Sequence, residues 1–244
     1  MPTIYLSPST QEFNPYINGG NEEQYMNLIA DAMVPYLRAS GIDYVRNTPE
    51  MTAATSIQAS NAGNYDLHLA LHSNAAPPAL SGEIRGTDVY FYPTSADGRR
   101  AAEIIANNLK YIYPIPDEVR AVPTTTIGEV SRTRAPAVLI EFAYHDNEQD
   151  ANWIKNNIPD IARNVVLSLT EYFDIPFVEP GPVRVGVVTA DRVNVRDRPN
   201  TTANVVGSLP RGTRVEIDGE TYGWYVIHAN GIEGYVSVDF VDLI

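Results

Sequence analysis

Cysteine is absent from this 244-residue chain. That excludes disulfide staples and thiolate metal centres, and leaves histidine, carboxylates and amide or carbonyl oxygens as the groups able to hold a metal ion. Basic residues are scarce, 17 Lys and Arg against 30 Asp and Glu, for a formal charge of -13. A phosphate backbone would be repelled at long range, and no stretch concentrates enough Lys or Arg to reverse the sign locally, so nucleic acid is excluded as a partner. There is no apolar run of membrane-spanning length, which excludes a helical membrane span. The N-terminus, Met-Pro-Thr-Ile-Tyr-Leu-Ser-Pro, has neither a basic n-region nor an apolar h-region. A chain with such a start that acts outside the cell is expected to leave it by lysis or a holin-type pore, or to have lost its leader.

What is present is a 44% apolar chain with two kinds of patterning. Up to about residue 173, short β-rich runs alternate with longer amphipathic stretches, which predicts an α/β domain with a twisted open sheet flanked by helices. Strands are expected at 3–7, 43–46, 67–72, 87–92 and 137–142, and helices at 22–40, 51–62, 97–111 and 150–172. In the first helix Tyr25, Leu28, Ile29, Ala32, Met33, Tyr36 and Leu37 recur at helical spacing, and Gly41 supplies a stop. The segment Asp-Ile-Pro-Phe-Val-Glu-Pro-Gly-Pro at 174–182 disfavours helix and central strand alike. Beyond it come closely spaced strand and turn signals at 184–189, 193–196, 207–209, 214–217, 224–228 and 234–237, the pattern of a small all-β domain. The expected organisation is a domain over 1–175, a linker over 176–182 and a second domain over 183–244.

One residue stands out on physical grounds alone. Glu141 ends the apolar run Ala137-Val-Leu-Ile, where a carboxylate is costly to bury unless it lines a cleft or meets a cation such as Arg132 or Arg134.

The tail carries a specific resemblance. Val193-Asn194-Val195-Arg196-Asp197-Arg198-Pro199 is similar to the LNVRSGPS signature of bacterial SH3-like domains, and the match continues through 206–213, 223–226 and 231–236. The resemblance implies an SH3-like barrel that recognises cell-wall peptides or glycans. Most of the pattern is explained by alternating core valines and turn glycines, and Tyr222 and Tyr235 are the aromatics expected to offer flat area to a wall ligand.

Four stretches of the first domain together resemble zinc-dependent N-acetylmuramoyl-L-alanine amidases. Asn21-Glu22-Glu23-Gln24-Tyr25-Met26-Asn27-Leu28 is similar to the family's "E…NL" helix start, with Glu23 at the zinc-binding position. Asp66-Leu67-His68-Leu69-Ala70-Leu71-His72-Ser73-Asn74-Ala75 is similar to DLFISIHANA, which makes His72 a zinc ligand. Gly86-Thr87-Asp88-Val89-Tyr90-Phe91-Tyr92 resembles a structural strand, and Pro136-Ala137-Val138-Leu139-Ile140-Glu141 resembles the segment carrying the catalytic acid/base, here Glu141. The resemblance implies a Zn2+-dependent hydrolase of peptidoglycan, of endolysin or autolysin type acting on a Gram-positive wall, that cuts between N-acetylmuramic acid and L-alanine, with Asn74 orienting substrate. Such chemistry needs a Lewis acid, neutral imidazole and carboxylate ligands, and a second carboxylate to move a proton.

The chain departs from the family at one point. The DPGHGG opening, which carries the first zinc histidine, is replaced by Leu-Ser-Pro-Ser-Thr-Gln-Glu at 6–12. Gln11, with Thr10 beside it, or His145 is then expected to complete the metal site. His68 lies roughly 13 Å along the strand from His72, too far to share one ion, and reads as a structural histidine. The alternative to an enzyme is a non-catalytic wall-binding protein whose amidase site has decayed.

Overall fold

The structure is a computed structural model that describes all 244 residues. By the density of its internal contacts the chain divides into two compact units. One comprises Thr3–Met33 and Tyr44–Tyr172; the other comprises Phe173–Ile244 with Met1–Pro2 and Val34–Asp43.

The first unit is built on a six-stranded mixed sheet. In chain order its strands are β1 (Thr3–Pro8), β2 (Asp43–Arg46), β3 (Leu67–Asn74), β4 (Thr87–Phe91), β5 (Val119–Pro123) and β6 (Ala137–Tyr144), arranged in space as β2-β1-β3-β6-β4-β5. Strands β1, β3 and β6 run parallel, as do β4 and β5, while β4 and β6 are antiparallel. The helices are α1 (Glu22–Ala39), α2 (Ala53–Ala62), α3 (Ala96–Leu109), α4 (Gly128–Ser131), α5 (Glu148–Asn156) and α6 (Ile158–Phe173). The single helix expected over 150–172 is two, because Asn157 leaves helical geometry ahead of Ile158-Pro159. A proline lacks the N–H an interior helical position requires but is tolerated in the first turn of a new helix.

Alternation along the strands gives the sheet two unlike faces. Ile4, Leu6, Leu67, Leu69, Leu71, Val89, Val138 and Ile140 are fully buried and share one face. The opposite face carries Ser7, His68, Ala70, His72, Leu139, Glu141, Asp88 and Tyr90. Short helix α4 covers part of this second face, with Val130 packed against Ala70 and Leu139. The chemistry is therefore concentrated on the face that the smallest helix closes.

The second unit is an all-antiparallel seven-stranded sheet made of β7 (Arg184–Val188), β8 (Arg192–Arg196), β9 (Val205–Pro210), β10 (Arg214–Thr221), β11 (Trp224–Ala229), β12 (Ile232–Ser237) and β13 (Val241–Leu243), in the order β13-β7-β10-β11-β12-β8-β9. Val193, Val195, Val215, Ile217, Tyr225, Ile227 and Val236 form its core. Two hairpins turn on left-handed pairs, Tyr222-Gly223 and Asn230-Gly231. The Asn-Gly pair is the preferred chemistry for such a turn; a tyrosine there is not. Residues 175–183 have no regular secondary structure.

Candidate active site

The site is assembled from the carboxyl ends of β1, β3 and β6, the start of α1, and α4. Parallel register sets His72 of β3 directly beside Glu141 of β6, and antiparallel register sets Glu141 beside Asp88 of β4. Side chains at paired positions share a face and stand about 5 Å apart. An imidazole and two carboxylates therefore form a row across three strands. Just past this row the β3/β6 register shifts between His72 and Asn74, a bulge of the kind that re-aims side chains next to active sites.

His72 is buried and held between two carboxylates: Nδ1 lies 2.8 Å from Glu22 Oε1, and Nε2 lies 3.0 Å from Glu129 Oε2. Burial pulls the His72 pKa down, but the bonds to Glu129 and Glu22 outweigh it and hold it well above the ordinary imidazole range. Burial raises the Glu22 carboxyl, yet His72 and Asn14 bring it below its usual range. Glu129 is likewise depressed, against burial, by His68 and His72. Its Oε1 also accepts a hydrogen bond from Ser7 Oγ at 2.6 Å and lies 3.3 Å from His68 Nε2.

Glu141 stands in the opposite condition. Its Oε2 is buried with no hydrogen-bond partner. Burial, with added repulsion from Glu22, Asp88 and Glu129, pushes the carboxyl from 4.5 up to about 8, against the pull of His72. Neither Arg132 nor Arg134 pairs with it: Arg134 bonds the backbone oxygen of Asn61, and the Arg132 carbonyl accepts from Asn61. A carboxyl group poised near neutrality beside a carboxylate-bound imidazole can take up and return a proton.

The remaining expected site residues fall as follows. Glu22, the first residue of α1, is the glutamate that meets His72; Glu23 points into the adjoining cleft without bonding it. Asn21 caps the helix through a 2.8 Å bond from the Gln24 N–H, which fixes which residue of the acidic pair turns inward. Gln11 does reach the site, with Nε2 3.3 Å from His72 Nδ1 and Oε1 accepting from Asn14 at 3.1 Å. His145 does not: its Nδ1 lies 2.9 Å from the Ser73 carbonyl oxygen. Asn74 spends its side-chain oxygen on the Ala75 N–H. His68 is fully buried between Ser60 and Glu129. Tyr222 is 87% exposed, whereas Tyr235 is 1% exposed with its hydroxyl donating to the Ser40 carbonyl, so Tyr235 offers a ligand no surface. Glu22, Glu129 and Asp88 are the site residues that sequence reasoning missed. A cleft of about 570 Å³ opens onto the row and is lined by Ser9, Gln11, Phe13, Glu23, Asn47, His72 and Glu129 among others.

Residues 11–171 match the family model for N-acetylmuramoyl-L-alanine amidase, about two thirds of the chain. The chain belongs to the N-acetylmuramoyl-L-alanine amidase family. Residues 191–242 match the bacterial SH3 domain. Among solved structures, the amidase AmiC2 of Nostoc punctiforme is 15% identical with a TM-score of 0.62, covering 71% of this chain and 97% of that one. The catalytic domain of the CD27L endolysin targeting Clostridia Difficile is 21% identical with a TM-score of 0.58, covering 70% and 98%. The catalytic domain of CwlV from Bacillus (Paenibacillus) polymyxa var. colistinus is 16% identical with a TM-score of 0.62, covering 72% and 100%. No curated protein matches the sequence. The first unit is thus the amidase domain of a peptidoglycan hydrolase and the second its bacterial SH3 domain. No helix is long and apolar enough to cross a membrane.

The amidase family is generally zinc-dependent, and the donor set here can be tested against that ion. Ligands of one tetrahedral zinc lie about 3.3 Å apart when each bond is about 2.0–2.1 Å. His72 Nδ1 meets Glu22 Oε1 at 2.8 Å, a hydrogen-bond distance, and Gln11 turns its amide nitrogen to the same ring atom at 3.3 Å while its oxygen accepts from Asn14. No third His, Asp or Glu joins them to make a metal-binding group. His72 and Glu22 are two of the three protein ligands that a catalytic zinc keeps.

Proposed function

We propose that the amidase domain is zinc-dependent, with Glu22 and His72 as the residues that would hold the ion, Gln11 beside them, and Glu141 as the acid/base. The observation that carries this reading is the shared row of His72 and Glu141, with a carboxylate on each nitrogen of the His72 ring. Bound at that corner, zinc would supply a Lewis acid that lowers the pKa of water and polarises the lactyl carbonyl. Glu129 holds the far side of the His72 ring and so fixes the tautomer that presents Nδ1 to the Glu22 corner, the usual role of a carboxylate behind a metal-binding histidine. Glu141 accepts the proton of the attacking water and returns it to the amide nitrogen of L-alanine as the bond to the lactyl carbon breaks. The products are a free lactyl carboxylate and a peptide with a new amino terminus.

The domain boundaries that suit this reading are 1–175 for catalysis, 176–182 as linker and 183–244 for wall attachment. Tyr222 is the exposed aromatic offered to the wall, and peptidoglycan is both substrate and anchor. The protein acts at the wall of a Gram-positive cell.

The test is release of L-alanine amino termini from purified peptidoglycan. Zinc-loaded full-length protein is expected to release them, chelation to abolish release and added zinc to restore it, and Glu141→Gln to remain inactive with zinc bound. Wall binding without release under all conditions establishes instead a non-catalytic wall-binding protein, the reading that the neutral Gln11 favours.

A further inference from the structure

The second unit carries a pocket of about 350 Å³ that the reaction does not use. Small-ligand sites usually measure about 300–1,000 Å³, so this one suits a few residues of peptide rather than a glycan strand. Its walls include Arg192 and Arg196 of β8, Trp224 of β11, Ser237 of β12, and Asp239 and Phe240 of the 3-10 turn Val238–Phe240. Strand alternation puts them there: Val193 and Val195 enter the core, so Arg192 and Arg196 face outward, and Trp224 likewise precedes the core residue Tyr225.

The walls are held in place by bonds of their own. Ser237 Oγ accepts the Asp239 N–H at 3.4 Å and donates to Asp239 Oδ2 at 3.2 Å. The Thr189 N–H donates to the Phe240 carbonyl at 3.0 Å, and Val238 packs on the core, while the Phe240 side chain stays 44% exposed. Arg196 Nη1 donates to the Ala203 carbonyl at 2.6 Å, which pins the loop between β8 and β9.

Within these fixed walls, polar groups stand without partners. Arg184 pairs with Glu220 and Arg211 with Asp191, but Arg192 has neither an ion pair nor a side-chain hydrogen bond. Trp153 gives its indole N–H to the Ile112 carbonyl, whereas the Trp224 N–H bonds nothing. Arg196 has donors to spare beyond Nη1, and Asp239 Oδ1 has no partner. Charge also favours this unit for an anion: residues 183–244 hold six arginines against eight acidic residues, while the rest of the chain holds 11 basic against 22 acidic residues.

We propose that this pocket is the seat of the wall in the SH3 domain, and that it takes a short peptidoglycan stem peptide bearing a free carboxylate. Arg192 and Arg196 bind the carboxylate, Trp224 and Phe240 take the apolar side chains between them, and Asp239 receives an amine of the same peptide. The proposal rests on the wall-attachment reading of this domain. It moves the specific contact from the exposed Tyr222 turn to the pocket that Trp224 lines.

The experiment uses full-length protein carrying Glu141→Gln, so that walls are bound without being cut. Pelleting with purified walls gives one readout, and tryptophan fluorescence on adding the tetrapeptide L-Ala-γ-D-Glu-L-Lys-D-Ala gives the other. The chain has two tryptophans and Trp153 is buried, so a fluorescence response reports Trp224. Arg192→Ala is expected to weaken both readouts about 10-fold or more, the usual loss for a charge-assisted bond. Arg214→Ala removes an equally unpaired arginine that lines a different pocket, and should leave both within about twofold. Arg192 is exposed, so an unchanged thermal midpoint separates lost binding from misfolding. Amidating the carboxylates of the peptide should weaken it as much as Arg192→Ala does, and the variant should then lose nothing further. If Arg192→Ala binds walls and tetrapeptide as tightly as its parent, or Arg214→Ala loses as much, the pocket is overturned while wall attachment stands. Competition by glycerol phosphate as strong as that by the tetrapeptide makes the ligand a wall phosphate and overturns the peptide assignment. Parent protein that pellets with no wall overturns the attachment reading, and the pocket with it.

Discussion

Replacing Glu141 by glutamine tests the site through stability as well as activity. In the metal-free fold the Glu141 carboxyl titrates near 8, against 4.5 for the free group, because burial leaves Oε2 without a partner beside three other carboxylates. At pH 7 the unfolded chain carries this group ionised and the folded chain carries it protonated. Taking up that proton costs about 3.5 kcal/mol, from the 2.5-unit distance between pH 7 and the free value at about 1.4 kcal/mol per unit. Because Glu141 is only part-buried as a residue, about 2 kcal/mol is the working figure. Glutamine is isosteric with the protonated acid and needs no proton. Since folding raises this pKa, the stability associated with the group is intact below pH 4.5 and is lost as pH climbs through 8. Glu141→Gln should therefore match wild type near pH 4, exceed it by about 2 kcal/mol at pH 7, and reach its full advantage above pH 8. Urea denaturation at several pH values, with chelator present, measures the gap. Turnover of the zinc-loaded variant should fall by about 10²- to 10⁴-fold. A gap that does not change with pH, or a variant less stable than wild type, refutes the account of a strained carboxyl held for proton transfer.

Other substitutions separate neighbouring roles. Glu22→Gln should abolish tight zinc binding, while Glu23→Gln, which changes a cleft residue not bonded to His72, should leave zinc affinity within about threefold; isothermal titration with zinc distinguishes them. Glu129→Ala strands Ser7, His68 and His72 together and should cost about 3–5 kcal/mol in denaturant titrations, more than any single surface ion pair of this chain. Tyr222→Asn relieves a tyrosine held at φ 47° and should raise the unfolding free energy by about 1 kcal/mol while weakening pelleting with wall fragments about fivefold. Equal or tighter pelleting would remove Tyr222 from the wall-binding surface.

The fold was legible because both domains follow simple periodicities. Strands β1, β3 and β6 are apolar runs bounded by polar residues, and the valines of the second unit alternate as a half-buried sheet demands. β5, Val119–Pro123, was missed because its partly exposed residues and terminal proline give it neither a buried run nor clean alternation. Within the site, His72 and Glu141 were readable as polar ends of apolar strands, but Glu22 and Glu23 are adjacent, and only the helix cap at Asn21 decides between them. Glu129 was invisible because a four-residue helix has no period to detect. Its one signal is a lone acidic residue between Gly128 and Val130 just ahead of an apolar strand. Asp88 sat in a strand read as structural, where its alternation with buried Val89 marks it as facing the same side as Glu141.

The reach of Glu129 has a consequence for how the molecule comes into being. Its carboxylate joins Ser7, 122 residues away, to His72, 57 residues away, so the centre closes only after the chain has been made through α4 and β6 has slotted between β3 and β4. Contacts of such separation form late, after the cost of closing long loops has been met by the rest of the sheet. A nascent or truncated chain can carry a folded helix and several paired strands and still possess no hydrolytic centre, which keeps a wall-cutting enzyme inert until synthesis has passed Tyr144.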